Sequence, residues 1–184
     1  MLNKLEKEFL KESNAIESVY DDDSLRYAEI AWEYLKAIKG PLVTNDVKHV
    51  HYLLMQSLRP DIAGKWRKCA VRIGYQIKKE ESEEALDAKV ENVLSLINNA
   101  KVTERNRPAG KSKARQKEGR DIEARTAHLL FEDVHPFEDG NGRVGRMLWE
   151  YHRLKLHLPI KVIHADMDEK GWDGEQGNYY KWFR

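Results

Sequence analysis

The stretch from His135 to Arg146, reading HPFEDGNGRVGR, gathers the side chains of this chain best suited to chemistry on a phosphate. His135 carries an imidazole whose ordinary pKa of about 6.5 lets its neutral form accept a proton near neutral pH, which suits a general base acting on a hydroxyl nucleophile. Pro136 cannot continue a helix, so the chain must turn there. Gly140 and Gly142 permit positive φ and close backbone approach, and the amides around Gly140, Asn141 and Gly142 can form an anion-binding nest at the start of the next helix. Arg143 and Arg146, three apart on one helical face, offer two guanidinium forks to further oxygens, a pairing that suits a di- or triphosphate. Asp139 precedes the nest and is the carboxylate expected to hold Mg²⁺, which uses one or two carboxylates plus substrate oxygens; Glu138 ranks behind it. Phe137 has no polar role and is expected to anchor the loop in the core.

Such a loop needs a helix on each side. The pattern predicts one from about Asp121 to Val134 and another from about Asn141 to Lys155, with Val144, Met147, Leu148, Tyr151 and Leu154 on one stripe. Upstream, Leu25, Ala28, Trp32, Leu35 and Ile38 recur at helical spacing, with Ser24 as the expected cap and Gly40 and Pro41 as the stop. A further helix is expected from Thr44, as N-cap, through Val47, Val50, Leu54 and Leu58 to Pro60, and another from about Ser82 to Asn98. Cys69, Val71, Ile73 and Tyr75 alternate with Ala70, Arg72 and Gly74, which reads as a hairpin arm or an edge strand. Residues 101–120 carry eight Lys or Arg against two Glu, and Pro108, Gly110 and Gly119 predict a solvated loop or frayed helix. The segment from Asp166 to Gly177 reads as a loose loop. With no internal repeat, the chain reads as mainly α, a single domain over residues 1–184 with a small β element.

Composition narrows the function classes. At 184 residues the chain can bury its own core, and its single cysteine, Cys69, excludes an internal disulfide and a cysteine-based zinc site. A reducing, cytoplasmic setting is the expectation. Charged residues make up 34% but the formal net charge is only +1, so no global field recruits nucleic acid or an acidic membrane. No run reaches the roughly 20 apolar residues of a membrane helix, and the histidines show no zinc-ligand spacing.

The string His135 to Arg146 resembles the Fic/Doc signature HPFx(D/E)GN(G/K)RxxR at each specified position. The resemblance implies a Fic-type helical fold and Mg²⁺-dependent transfer of AMP from ATP to a Ser, Thr or Tyr hydroxyl of a protein target. It makes His135 the base, Asp139 the metal ligand, Gly140, Asn141 and Gly142 the phosphate cradle, and Arg143 and Arg146 the phosphate clamps. Gly64, Lys65, Trp66 and Arg67, followed by Val71, Arg72, Ile73 and Gly74, are similar to the family's flap, here residues 64–76. That hairpin covers the nucleotide, with Val71 to Gly74 toward ATP, and pairs in strand fashion with the target.

Ser13 to Glu17 is similar to the family's inhibitory helix motif (S/T)xxxE(G/N), which implies an N-terminal inhibitory helix segment over residues 1–23. This arrangement implies that Glu17 pairs with Arg146, competes with the γ-phosphate and acts as a brake; Ser18 departs from the Gly or Asn of the pattern. Tyr180, with Tyr179, corresponds to a tyrosine pair near the family's adenine pocket, or else packs a terminal helix with Trp182 and Phe183. Within the same fold the site could transfer a phosphoryl or phosphocholine group or remove AMP. Outside it, the chain could be a non-catalytic binding module in which the basic stretch Lys101 to Arg120 contacts nucleic acid or an acidic partner, a reading that ranks behind the enzyme and leaves nucleic acid a disfavoured partner. In a third reading His135 is a buried structural histidine and the arginines form surface ion pairs. The target, its modified residue, the biological role and the oligomeric state, including a homodimer, are left open.

Overall fold

The computed structural model describes residues 1–100, 113–166 and 175–183. Its elements are α1 (Lys4–Ile16), α2 (Asp22–Ala37), α3 (Thr44–Met55), β1 (Val71–Ile73), β2 (Gln76–Lys78), α4 (Glu83–Asn99), α5 (Lys113–Val134), α6 (Asn141–Lys155) and α7 (Glu175–Tyr180), then a short 3₁₀ turn at Lys181–Phe183. The mainly helical architecture with one small antiparallel hairpin is the predicted class.

α6 is the central element. Every residue from Arg143 to Arg153 is buried, and the helix is packed by α1, α2, α3 and α5. A helix covered all round must carry its charged residues inward, which places Arg143 and Arg146 in the interior rather than on a solvated face. The apolar stripes meet around it: Leu10, Trp32, Leu35, Val47, Val50, Leu86, Val90, Phe131 and Val144 are all fully buried in one cluster. Each such side chain contributes about 1.5–3 kcal/mol by leaving water. No helix among the described residues is long and apolar enough to cross a membrane.

Local chemistry differs from expectation at several ends. The α2 cap is Asp21, whose carboxylate accepts from Ser24 N at 2.7 Å, not Ser24 itself. α3 starts at Thr44 instead of being capped by it, because Asp46 reaches back to Val43 N at 2.9 Å. That helix ends at Met55, leaving Leu58 partly exposed, and Leu154 is likewise partly exposed on α6. The strand is shorter than the alternation suggests: Cys69 and Ala70 lie before β1, and the chain turns at Gly74 (φ +55°) and Tyr75. Val71 pairs with Lys78, Arg72 with Ile77 and Ile73 with Gln76.

α5 begins at Lys113, eight residues before the expected start at Asp121, and runs through Gly119. The added turns are pinned by tertiary partners, Arg120 Nη1 donating to Leu156 O at 3.1 Å and Asp121 pairing with Arg153, which outweigh the helix-weakening glycine. The basic stretch is therefore helical from Lys113 onward; its residues 101–112 lie outside the described residues, as do residues 167–174 of the expected C-terminal loop. α1 was not signalled by apolar spacing. It is started by a capping box in which Asn3 Oδ1 accepts from Glu6 N and Glu6 Oε2 accepts from Asn3 N.

Candidate active site

α5 delivers His135 and α6 receives the loop. Gly140, the N-cap of α6, has φ +78°, a conformation that only glycine adopts without strain. Asn141 closes the loop on itself, Oδ1 accepting from Phe137 N and Nδ2 donating to Phe137 O, both at 2.9 Å. The Asn141 side chain is thus spent on loop geometry, and what remains for an anion is its backbone amide among the first, unpartnered amides of α6.

Phe137 is fully buried, as expected, stacking on His51 with centroids 3.7 Å apart and meeting the Trp66 ring at a tilt, 4.7 Å away. His51 was not expected at the site. Its Nδ1 accepts from Gly64 N at 2.9 Å, so Nε2 carries the proton and donates to Asp139 O at 3.0 Å. Burial pushes this imidazole down to about 4, so it stays neutral and can keep both roles. Its only sequence signal is its place on the buried face of α3, between Val47, Val50 and Leu54.

Asp139 Oδ1 accepts from Gly140 N at 2.6 Å, which anchors the carboxylate at the mouth of the cradle. Glu138 is drawn away into an ion pair with Arg59 at 3.1 Å. Asp139 is therefore the loop carboxylate whose position fits a Mg²⁺ ion held against phosphate oxygens.

His135 sits at φ +49° just past the end of α5. Its Nδ1 lies 3.3 Å from Glu132 O, an acceptor only, so Nδ1 carries the proton and Nε2 is left as the basic nitrogen. Burial lowers its pKa, the Glu132 carbonyl raises it, and the charges of Arg67 and Lys78 lower it further; the net direction is down. A neutral imidazole with a free Nε2 is the form a general base requires.

The two arginines differ sharply. Arg143 is buried and donates from Nη2 to the thioether of Met55 at 3.0 Å, a weak acceptor. Its Nε and Nη1 are buried without a partner among the described residues. Arg146 is held from one side: Nε donates to Ser13 Oγ at 2.9 Å, and Nη2 donates to Ser13 O at 2.9 Å and to Glu17 Oε1 at 2.6 Å. The Glu17 carboxylate lies so close over Gly142 that a Cβ there would collide with Oε1. A carboxylate of this chain's own α1 segment thus lies against Gly142 and on the second arginine together.

Behind Arg146 lies a buried polar layer. Burial pushes the Glu132 carboxyl up to about 7 and the His128 imidazole down to about 3. His128 Nε2 meets the hydroxyl of Tyr179 at 2.9 Å, and that hydroxyl is 3.5 Å from Arg146 Nη1. Of the tyrosine pair it is Tyr179 that is buried at the arginine, whereas Tyr180 is 38% exposed, its ring 5.3 Å from that of Tyr179. The hairpin residues Val71 and Ile73 are half-buried while Arg72 and Gly74 are exposed. Lys78 of β2 reaches Asp133 at the end of α5 at 2.5 Å.

Comparison with known proteins agrees with this fold. The Fic/DOC family matches residues 41–152. Among solved structures, Fic-1 (residues 134–508) from C. elegans superposes with a TM-score of 0.66 at 16% identity, covering 90% of this chain and 52% of that one. A Fic family protein from Desulfovibrio desulfuricans G20 gives 0.64 at 20% identity, covering 96% and 55%. A Fic domain containing signaling protein from Bacteroides thetaiotaomicron gives 0.67 at 18% identity, covering 97% and 70%. At these identities the likeness is one of fold. The chain spans about half the length of the first two. No curated protein matches it.

Proposed function

The chain belongs to the Fic/DOC family, and from that premise we propose that it is a protein adenylyltransferase, moving AMP from Mg²⁺·ATP to a Ser, Thr or Tyr hydroxyl of a protein target and restrained by Glu17. The observation that carries this reading is the seat of Glu17 on Gly142 and Arg146, beside a half-unpartnered Arg143. It marks a built anion site, filled by the chain's own carboxylate where a terminal phosphate would lie.

In the proposed reaction the target hydroxyl gives its proton to His135 Nε2 as its oxygen attacks the α-phosphorus. The bond from that phosphorus to the bridging oxygen breaks, and pyrophosphate leaves. Arg143, with its spare donors, and Arg146, once released, hold the departing phosphates through charge-assisted hydrogen bonds. Asp139 would hold Mg²⁺, which supplies charge neutralisation to the phosphates when bound. The Glu132 carbonyl keeps the proton on Nδ1 throughout, so the ring presents the same nitrogen each turnover. Seated Glu17 occupies the place of the γ-phosphate, so ATP would enter in a register that misaligns the α-phosphate.

Two parallel incubations with Mg²⁺ test the transferred group, one with ATP labelled at the α-phosphate and one at the γ-phosphate. Protein-bound label from the α position alone is the expected result. Label from the γ position would replace adenylyl with phosphoryl transfer.

Ser18 tunes the brake in this reading. It holds φ +58° at the end of α1, with Ser18 N bonded to Ala15 O and Val19 N bonded to Asn14 O, the Schellman pattern that favours glycine. A non-glycine residue pays about 1 kcal/mol there. Ser18→Gly is expected to seat Glu17 more firmly and cut the residual labelling rate about fivefold. The same change made on top of Glu17→Gly should leave the rate unaltered; a drop in both backgrounds would mean that Ser18 acts on something else.

A further inference from the structure

A buried guanidinium outside the phosphate site joins the two halves of the machinery. Arg67, with its side chain fully buried, donates from Nε to His135 O at 2.9 Å, while its own backbone N donates to Pro136 O at 2.9 Å. From the other end, Nη1 donates to Cys69 O at 3.1 Å and Lys79 O at 2.5 Å, and Nη2 donates to Glu81 Oε1 at 2.8 Å. Cys69 and Lys79 are the two feet of the β1–β2 hairpin, one on each side. One planar side chain therefore clasps both feet and the backbone of the loop's histidine.

His135 needs such a clasp. A histidine at φ +49° is in a strained conformation that persists only where its surroundings over-determine it. Arg67 orients its carbonyl from one side, and Phe131 O accepts from its N–H at 3.0 Å on the other. A buried cation is tolerated only when its donors are met, and here they are met by three carbonyls and one carboxylate. Glu81 is itself shared with Lys89, so it does not fully offset the charge of Arg67, which is felt at His135. Lysine cannot replace this geometry, because a point ammonium lacks the rigid fork that spans four acceptors.

We propose that Arg67 is a positioning residue that locks the hairpin and the His135 backbone into one unit, so that a target segment held at the hairpin meets a correctly aimed base. The proposal deepens the adenylyltransferase reading and rests on it for the rate effect, though not for the structural coupling.

The test compares Glu17→Gly protein with the same protein carrying Arg67→Lys or Arg67→Met. Hydrogen exchange follows the amides of residues 69–79, NMR follows the His135 ring titration, and α-labelled ATP with a cell lysate follows transfer. Both variants are expected to lose hairpin protection and to label at least about 100-fold more slowly, the cost of a misplaced base. Their affinity for Mg²⁺·ATP should fall far less than the labelling rate, since Arg67 touches no residue of the cradle and only the hairpin side of the nucleotide is loosened. The His135 ring should titrate at higher pH in Arg67→Met and not in Arg67→Lys, because only the former removes the positive charge. Unchanged hairpin protection and labelling within about threefold of the parent in Arg67→Lys would overturn the proposal, as would a failure of both variants to fold, which would make Arg67 a structural residue only. If the Glu17→Gly parent itself transfers no label, the adenylyltransferase reading fails while exchange and titration still decide the clasp.

Discussion

Glu17→Gly is expected to raise incorporation of α-label into protein by roughly 10- to 100-fold, the factor carried by about 1.4–3 kcal/mol of released inhibition. The change removes the carboxylate that Arg146 Nη2 holds at 2.6 Å and clears the space against Gly142. It leaves intact the two bonds from Arg146 to Ser13, at 2.9 Å each, so the freed guanidinium stays aligned toward the cradle. Glu17→Gln serves as a control, since it keeps the shape but loses the charge that mimics a phosphate; an intermediate gain is expected from it. Initial rates at saturating Mg²⁺·ATP measure the effect. Rates equal to wild type in both variants, with ATP bound equally, would remove Glu17 as a brake and leave its ion pair a structural contact.

The second large effect is at the base. In the Glu17→Gly background, His135→Ala is expected to lower labelling by about 10³-fold, within the range general base catalysis supplies. Nucleotide affinity should hardly change, because no cradle contact passes through the imidazole. The burial that keeps His135 below its usual pKa also fixes the sign of the pH dependence. Activity is present while the ring is neutral and falls as pH drops through this depressed value, so the acidic limb should lie below that of a free histidine. If His135→Ala kept most of its activity, another group would have to take the hydroxyl proton.

The helix–turn–helix setting of the loop was readable because it is contiguous. The proposed base, the carboxylate proposed for Mg²⁺, the nest and two arginines fall within His135 to Arg146, and a proline and two glycines between apolar helical stripes leave few conformations that are not helix, turn, helix. The hairpin was readable for a similar local reason, although the exact turn at Gly74 and Tyr75 was not. Cap residues were misread at α2 and α3 because Asp21 and Ser24, or Thr44 and Asp46, offer competing oxygens within one turn, and the choice depends on how the preceding chain enters.

What lay beyond reach came from distant parts of the chain. His51 on Asp139 O and Met55 on Arg143 each bridge 88 positions, and neither a buried histidine nor a methionine advertises such a partner. Tyr179 rather than Tyr180 faces Arg146 because α7 packs that side inward, a matter of helix rotation. The helical form of α5 before Asp121 depends on Leu156 O and Arg153.

The order of residues alone determined the class of fold, the loop and the groups suited to hold a phosphate or accept a proton, because those depend on short-range geometry and on what each side chain can donate or accept. Whether Glu17 in fact reaches Arg146, 129 positions away, was decided by the packing of α1 on α6. Likewise, burial of α6 on all sides set the charge state of its neighbours and left Arg143 with unmet donors, since desolvation and partner supply are properties of the assembled core.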